Sequence, residues 1–175
     1  MPISIIVEDG TGKEDANSYV SVSELISYAS NRGVELSDSD STATLLIKAS
    51  DYLESKNYKG EKSYLLQALS WPRKNAYIDS NSESPFPDNL IPKQIKIAQM
   101  QLALIVESGV DLMPTLNNSE IIIRDKVGPL ETEYANPLQY GASLYPEMPQ
   151  IDSLLAPLVS SGGAALFRTV RGGYG

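Results

Sequence analysis

The sequence predicts a mainly α-helical protein: a small helical bundle with a β-hairpin and extended N- and C-terminal arms. Four stretches carry apolar residues at helical spacing, and a fifth reads as two strands around a Gly-Pro pair. A chain of 175 residues is long enough for one domain with appended arms. We therefore predict an arm at residues 1–20, a helical body at 21–159 and a tail at 160–175.

Residues 1–20 are predicted to be extended, and the first helix follows them. Pro2 and the largely β-branched run Ile3–Val7 favour a strand or an arm, and the loop after it contains turn glycines. Ser21 and Glu24 have the spacing of a capping box, in which each side chain bonds the backbone N–H of the other residue. Helical spacing continues at Leu25, Tyr28 and Ala29, and Gly33 can end the helix in a left-handed conformation.

Two longer helices are predicted in the body. The triplet Asp38-Ser39-Asp40 favours the start of one, because its acidic side chains complement the helix dipole. Pro92 favours the start of the other, where a missing N–H costs nothing, and Gly109 ends it. The buried stripes are predicted at Ala43, Leu46, Ile47, Ala49, Ser50 and Leu53, and at Ile95, Ala98, Leu102, Ile105 and Val106. Three glutamines lie off the second stripe and suit either solvent or a neighbouring subunit: Gln94, Gln99 and Gln101.

Residues 57–91 are predicted to form a long loop, because Gly60 and three prolines interrupt any periodicity. The only tryptophan lies in this loop, in the triplet Trp71-Pro72-Arg73. We predict that this triplet anchors the loop on the helical core. The alternative is base stacking by Trp71 beside Arg73 and Lys74, which requires an exposed ring.

Residues 120–135 predict a β-hairpin that turns at Gly128-Pro129. Such a turn places the following residues opposite each other: Val127 and Leu130, Lys126 and Glu131, Arg124 and Glu133, Ile123 and Tyr134. A lone hairpin is marginally stable, so we expect this one to pack on the helices or on another chain. A short last helix is then predicted from Ile151, Leu154, Leu155 and Leu158, ending near Pro157.

The C-terminal tail is predicted to lack the means to order itself. Fixing about fifteen residues costs about 20 kcal/mol of conformational entropy, whereas burial of the large apolar side chains returns about 6–12 kcal/mol. We therefore expect the tail to order against another polypeptide.

The composition excludes several kinds of chemistry. Cysteine and histidine are absent, which excludes disulfides, thiolate or imidazole metal sites, and Ser-His or Cys-His catalysis. We predict no enzymatic activity and no cofactor. No stretch is apolar enough for a membrane span. The net charge is −8, and we expect the cation groups Lys56-Lys59-Lys62 and Arg73-Lys74 to be ordinary solvated surface.

A series of ordered segments gives the chain a family resemblance over about residues 5–160. The segments are VEDGTG, ANSYVSV, ASDYL, ALSWPR, IPKQIKIAQMQLAL, VGPLETEYA and YPEMPQIDSLLAPL. Together they resemble tailed-phage head–tail connector proteins (adaptor or head completion proteins), in a family often labelled DnaT-like single-stranded-DNA-binding.

This resemblance implies a structural virion protein, made in the host bacterial cytoplasm and located in the neck. Such connectors form a homo-oligomeric ring, commonly a dodecamer, between the portal protein and the next tail or neck protein. Packaged double-stranded DNA passes through without sequence-specific contact. The residues expected to dock on the portal are Leu166, Phe167, Arg168, Val170, Arg171 and Tyr174. Those expected to contact neighbouring subunits through the hairpin are Arg124, Lys126, Glu131 and Glu133.

The alternative function is that of a single-stranded-DNA-binding module, which the family label names. It requires Trp71 or several tyrosines to be exposed beside Arg73 and Lys74. It also requires binding that weakens steeply as the salt concentration rises.

Overall fold

The computed structural model describes residues 2–79, 83–114, 124–127, 130–133 and 147–160. Its helices are α1 (Val22–Ser30), α2 (Asp40–Glu54), α3 (Lys93–Glu107) and α4 (Pro149–Leu155). Its strands are β1 (Glu61–Lys62), β2 (Arg73–Lys74), β3 (Arg124–Val127) and β4 (Leu130–Glu133), paired as two antiparallel two-stranded sheets. The predicted fold class, mainly α with a small hairpin, is confirmed.

The helices begin where local capping chemistry predicts. The Glu24 carboxylate accepts the Ser21 N–H at 2.7 Å, and Ser21 Oγ accepts the Glu24 N–H at 3.2 Å, which completes the capping box of α1. Ser39 caps α2, and Pro92 lies at the N-cap of α3, one residue before the predicted first-turn position. These starts are local, because each depends on residues within four positions of the helix end.

The hydrophobic core lies between α2 and α3, with α1 and α4 packed against α3. Leu46 and Leu53 of α2 and Ile95 and Leu102 of α3 are fully buried, each worth about 1.5–3 kcal/mol of transfer free energy. Three residues of the predicted stripes are only partly buried: Ile47, Ile105 and Val106. The N-terminal segment contributes to the same core through Ala16, Tyr19 and Val20.

Gln99 corrects the predicted surface of α3. Its side chain is fully buried, whereas the sequence places it off the buried stripe. The amide nitrogen Nε2 donates to Ser18 Oγ at 2.9 Å and to the Leu46 carbonyl at 3.0 Å, and Oε1 accepts the Tyr19 N–H at 2.8 Å. One buried amide therefore joins the N-terminal segment, α2 and α3.

The strands β3 and β4 pair in the predicted register, with Arg124 opposite Glu133, Lys126 opposite Glu131 and Val127 opposite Leu130. The predicted contacts of these residues with neighbouring subunits stay predictions. The pair Ile123 and Tyr134 lies outside the described residues, and so do the tail residues expected to dock on a portal: Leu166, Phe167, Arg168, Val170, Arg171 and Tyr174. In the described part of the chain, no helix is long and apolar enough to cross a membrane.

Candidate functional site

The most basic part of this acidic chain is the segment of residues 56–78. It contains five Lys and Arg residues and a single acid, Glu61, whereas the whole chain carries a net charge of −8. The sequence leaves its cations in two separate groups, but the strands β1 and β2 join them. Lys62 pairs with Arg73, and Glu61 pairs with Lys74. The predicted long loop therefore contains a small sheet that gathers the cations.

Arg73 holds this segment together from inside. Its guanidinium donates to the Lys59 carbonyl at 2.7 Å, the Gly60 carbonyl at 2.6 Å and the Ser70 carbonyl at 3.2 Å. Partial burial lowers the pKa of Arg73 from its ordinary value, but an arginine remains charged at neutral pH. The Arg73 guanidinium is therefore engaged by backbone carbonyls of its own segment. Few of its N–H groups remain for an external ligand.

Trp71 is fully buried beneath the segment. Its ring makes edge contacts with Tyr58, at 5.9 Å between ring centroids, and with Phe86, at 6.1 Å. Pro72 is also buried, and the peptide bond between the two residues is cis. A ring in this position cannot stack on a base, so the base-stacking role considered for Trp71 is wrong.

A buried polar network ties Trp71 to the helical body. The Tyr19 hydroxyl accepts the backbone N–H of Trp71 at 3.1 Å and donates to the Glu54 carboxylate. The same carboxylate accepts the Ser70 N–H at 2.7 Å. Burial and the nearby Glu54 charge raise the pKa of Tyr19 well above its usual value, so this hydroxyl stays protonated as a donor. The inner side of the segment is thus fixed on α2 and on the N-terminal segment.

The outer side of the segment presents cations and an aromatic ring. The Lys59 ammonium donates to the Tyr77 carbonyl at 3.3 Å, and the Tyr77 side chain is 49% exposed. Lys62 and Lys74 are exposed, and the Lys74 ammonium lies 3.8 Å from Glu61 in a solvent-accessible pair of little energetic weight. We call Lys59, Lys62, Lys74 and Tyr77 the basic surface.

Beside the basic surface, the chain forms an apolar projection. Leu65 is 96% exposed and Leu66 is 64% exposed, and we call this pair the leucine tip. The buried Gln67 side chain supports it: Oε1 accepts the Tyr64 N–H at 2.9 Å, and Nε2 donates to the Leu69 carbonyl at 2.8 Å. Two exposed leucines are therefore held on a hydrogen-bonded base.

The loop of residues 8–13 supports the same region. The buried Glu8 carboxylate accepts the N–H groups of Gly10, Gly12 and Lys13 at 2.8–2.9 Å. Hydrogen bonds from Thr11 and Lys13 lower the pKa of the adjacent Asp9 carboxyl to about 2. A Cβ atom added at Gly12 would lie only 2.2 Å from Cδ2 of Tyr64. The loop therefore fixes the position of the Tyr64 ring beside the leucine tip.

Replacing Gly12 with alanine is expected to destabilise the protein more than the same change at Gly33. Both glycines have a φ of +74°, so both variants carry the strain of a left-handed alanine, about 1–3 kcal/mol. Only Gly12 adds a clash, because nothing lies within 4 Å of a Cβ at Gly33. Urea denaturation of both variants measures the difference. Equal losses of stability would contradict the contact between Gly12 and Tyr64.

The described residues contain no cluster of three or more acidic side chains placed to hold a metal ion. The candidate site consists of ammonium groups and the exposed phenol ring of Tyr77. This surface could not be predicted from the sequence, because the two strands that bring its lysines together are only two residues long.

The chain matches one family of known sequence. Residues 3–172 fit the model of a family described as "Putative DnaT-like ssDNA binding protein". Searches of curated proteins and of solved structures found no significant match.

This match corrects the function that the segment resemblance implied. We expected a structural head–tail connector of a phage virion, but the matching family is described by binding to single-stranded DNA (ssDNA), and no comparison finds a connector. The portal, tail-side and channel-DNA partners and the location in a virion neck followed from the connector function and are not carried further.

Proposed function

The chain belongs to this DnaT-like family, and from that premise we propose that it is a non-enzymatic binding module for ssDNA. The observation that carries the proposal is the basic surface: the Lys59 ammonium contacts the backbone of the half-exposed Tyr77, and Lys62 and Lys74 are exposed on the paired strands β1 and β2. Ammonium groups contact phosphates of any sequence, and an aromatic ring stacks on any base.

The charge distribution supports binding at this surface. Residues 56–78 carry a net charge of +4, so the rest of the chain, at −12, repels a phosphate backbone. A strand that meets the protein is therefore favoured at the segment that carries these lysines. Binding at this surface should tolerate any sequence, because its contacts are phosphates and ring faces rather than base edges.

Single strands are favoured over duplexes at such a surface. In a duplex, the flat faces of the bases are covered by their neighbours, so an exposed ring finds nothing to stack on. In a single strand, Tyr77 gains a stacked base that is worth about 1–3 kcal/mol.

Fluorescence anisotropy with a labelled oligodeoxythymidylate tests this function. We expect saturable binding at low salt, weaker binding to a duplex of the same length, and a loss of affinity of about tenfold or more for Tyr77→Ala. Tyr77→Phe is the matched control, because it keeps the ring and should keep the affinity. Absence of saturable binding to the single strand at low salt would refute the function, and equal affinity of Tyr77→Ala and wild type would remove Tyr77 from the site.

A further inference from the structure

The leucine tip is an unusual feature for a surface. Leu65 and Leu66 are exposed next to each other, although the burial of one leucine is worth about 1.5–3 kcal/mol. The base of the tip is also rigidly built, since Ser63 Oγ donates to the Asp88 carbonyl at 2.6 Å and the Ala68 N–H donates to the Lys13 carbonyl at 2.9 Å. A pair of leucines held outward in this way forms a preorganised apolar knob.

A groove of matching chemistry lies elsewhere on the same chain, between α2 and the segment after α3. Its volume is 470 Å³, within the range of about 300–1,000 Å³ that is usual for small-ligand pockets. Apolar side chains line it, and Met113 among them is 50% exposed. Its lining includes Asp51, Val106, Val110, Asp111, Leu112 and Met113.

The charges around the knob and the groove are complementary. Lys62 is exposed at the base of the tip, where its ammonium donates to the Gln67 carbonyl at 3.2 Å and to the Ala68 carbonyl at 3.1 Å. The groove carries Asp51 and Asp111 against one cation, Lys48. In the described part of the chain, neither of these two carboxylates takes part in an ion pair. Opposite charges beside an apolar knob and an apolar groove increase the rate of association and help to fix the orientation of the complex.

We propose that the leucine tip of one molecule docks in this groove of a second copy of the chain. Tip and groove share no residue, and both are accessible in the same molecule, so neither occupies the other. Each copy would give one tip and accept one, which makes the contact heterologous and able to continue from copy to copy. The contact area is small, so the association depends on protein concentration rather than being permanent.

This self-association does not rest on DNA binding, but it would affect it. Copies joined tip to groove would bind neighbouring stretches of one strand cooperatively, as is common among proteins that bind single strands. The basic surface lies on the same segment as the tip, so bound DNA and the next copy would meet on adjacent parts of the molecule.

Two complementary variants test the proposal by sedimentation velocity without DNA. Leu65→Ser/Leu66→Ser removes the tip and keeps the groove, and Met113→Asp blocks the groove and keeps the tip. Each alone should be monomeric where the wild type associates, with the apparent Kd raised at least about tenfold. Mixed together, they should form a one-to-one dimer and nothing larger, because the mixture restores a single tip-to-groove contact.

A control variant and a folding check accompany these two variants. Leu90→Ser changes an exposed leucine outside both surfaces and should associate like the wild type. Circular dichroism and thermal unfolding confirm that each variant is folded.

A wild type that stays monomeric at all concentrations, or a mixture that fails to dimerise, would overturn the proposal. A tip variant that loses ssDNA affinity with no change in mass would assign the leucines to the DNA surface instead. Absence of DNA binding in a protein that still associates would refute only the DNA function.

Discussion

Replacing Trp71 with alanine is expected to lower the free energy of unfolding by about 3–5 kcal/mol. The ring is fully buried between Tyr58 and Phe86, so its removal leaves a cavity that its surroundings cannot fill. The backbone N–H groups of Trp71 and Ser70 keep their bonds to the Tyr19 hydroxyl and the Glu54 carboxylate in this variant, so the expected loss is one of packing. A shift of the urea midpoint at constant slope measures the change.

The matched control for this variant is Tyr77→Ala. Its ring is half-exposed, and truncation at such a surface changes stability by no more than about 0.5 kcal/mol. The two aromatic residues should thus behave in opposite ways: Trp71 matters for folding, and Tyr77 matters for binding. Comparable destabilisation by both variants would show that Trp71 does not anchor the segment.

Replacing Lys59 and Lys74 together with glutamine is expected to weaken ssDNA binding by about ten- to thirtyfold at low salt. The estimate follows from two exposed charged contacts, each worth up to about 1 kcal/mol. Lys59 is half-buried and Lys74 is exposed, and each ammonium group makes only one weak contact, to the Tyr77 carbonyl at 3.3 Å and to Glu61 at 3.8 Å. The folded state should therefore be preserved, which the same urea titration checks.

The helices and the described hairpin could be predicted because their signals are local. Ser21 and Glu24 are three residues apart, Pro92 adjoins the helix that it begins, and β3 and β4 are separated by only two residues. In each case the interacting residues lie close together in the sequence. The contact can therefore be predicted without knowledge of the tertiary structure.

The interior of the segment 57–91 could not be predicted because its supports are distant. Tyr19 meets Glu54 and Trp71 across 35 and 52 residues, and Gln99 meets Ser18 across 81 residues. The strands β1 and β2 have two residues each, too few for an alternating pattern. A buried polar side chain gives no periodic signal, so Gln67 and Gln99 look like ordinary surface residues in the sequence.

The same contacts explain why the segment resemblance led to a wrong function. Glu8 of VEDGTG, Tyr19 of ANSYVSV and Trp71 of ALSWPR are all buried and hold the fold together. Such residues say little about function, because one fold can serve unrelated functions. The exposed lysines, which carry the proposed function, lie mostly outside those segments.

The salt dependence of ssDNA binding tests the basic surface most directly. Three phosphate contacts predict a slope of log K against log salt of about −2 for the wild type, and loss of Lys59 and Lys74 should bring it to about −0.7. The control variant Lys93→Gln/Lys96→Gln removes the same charge from α3 and should keep the wild-type slope. Equal slopes for the two double variants would contradict the assignment of DNA binding to this surface.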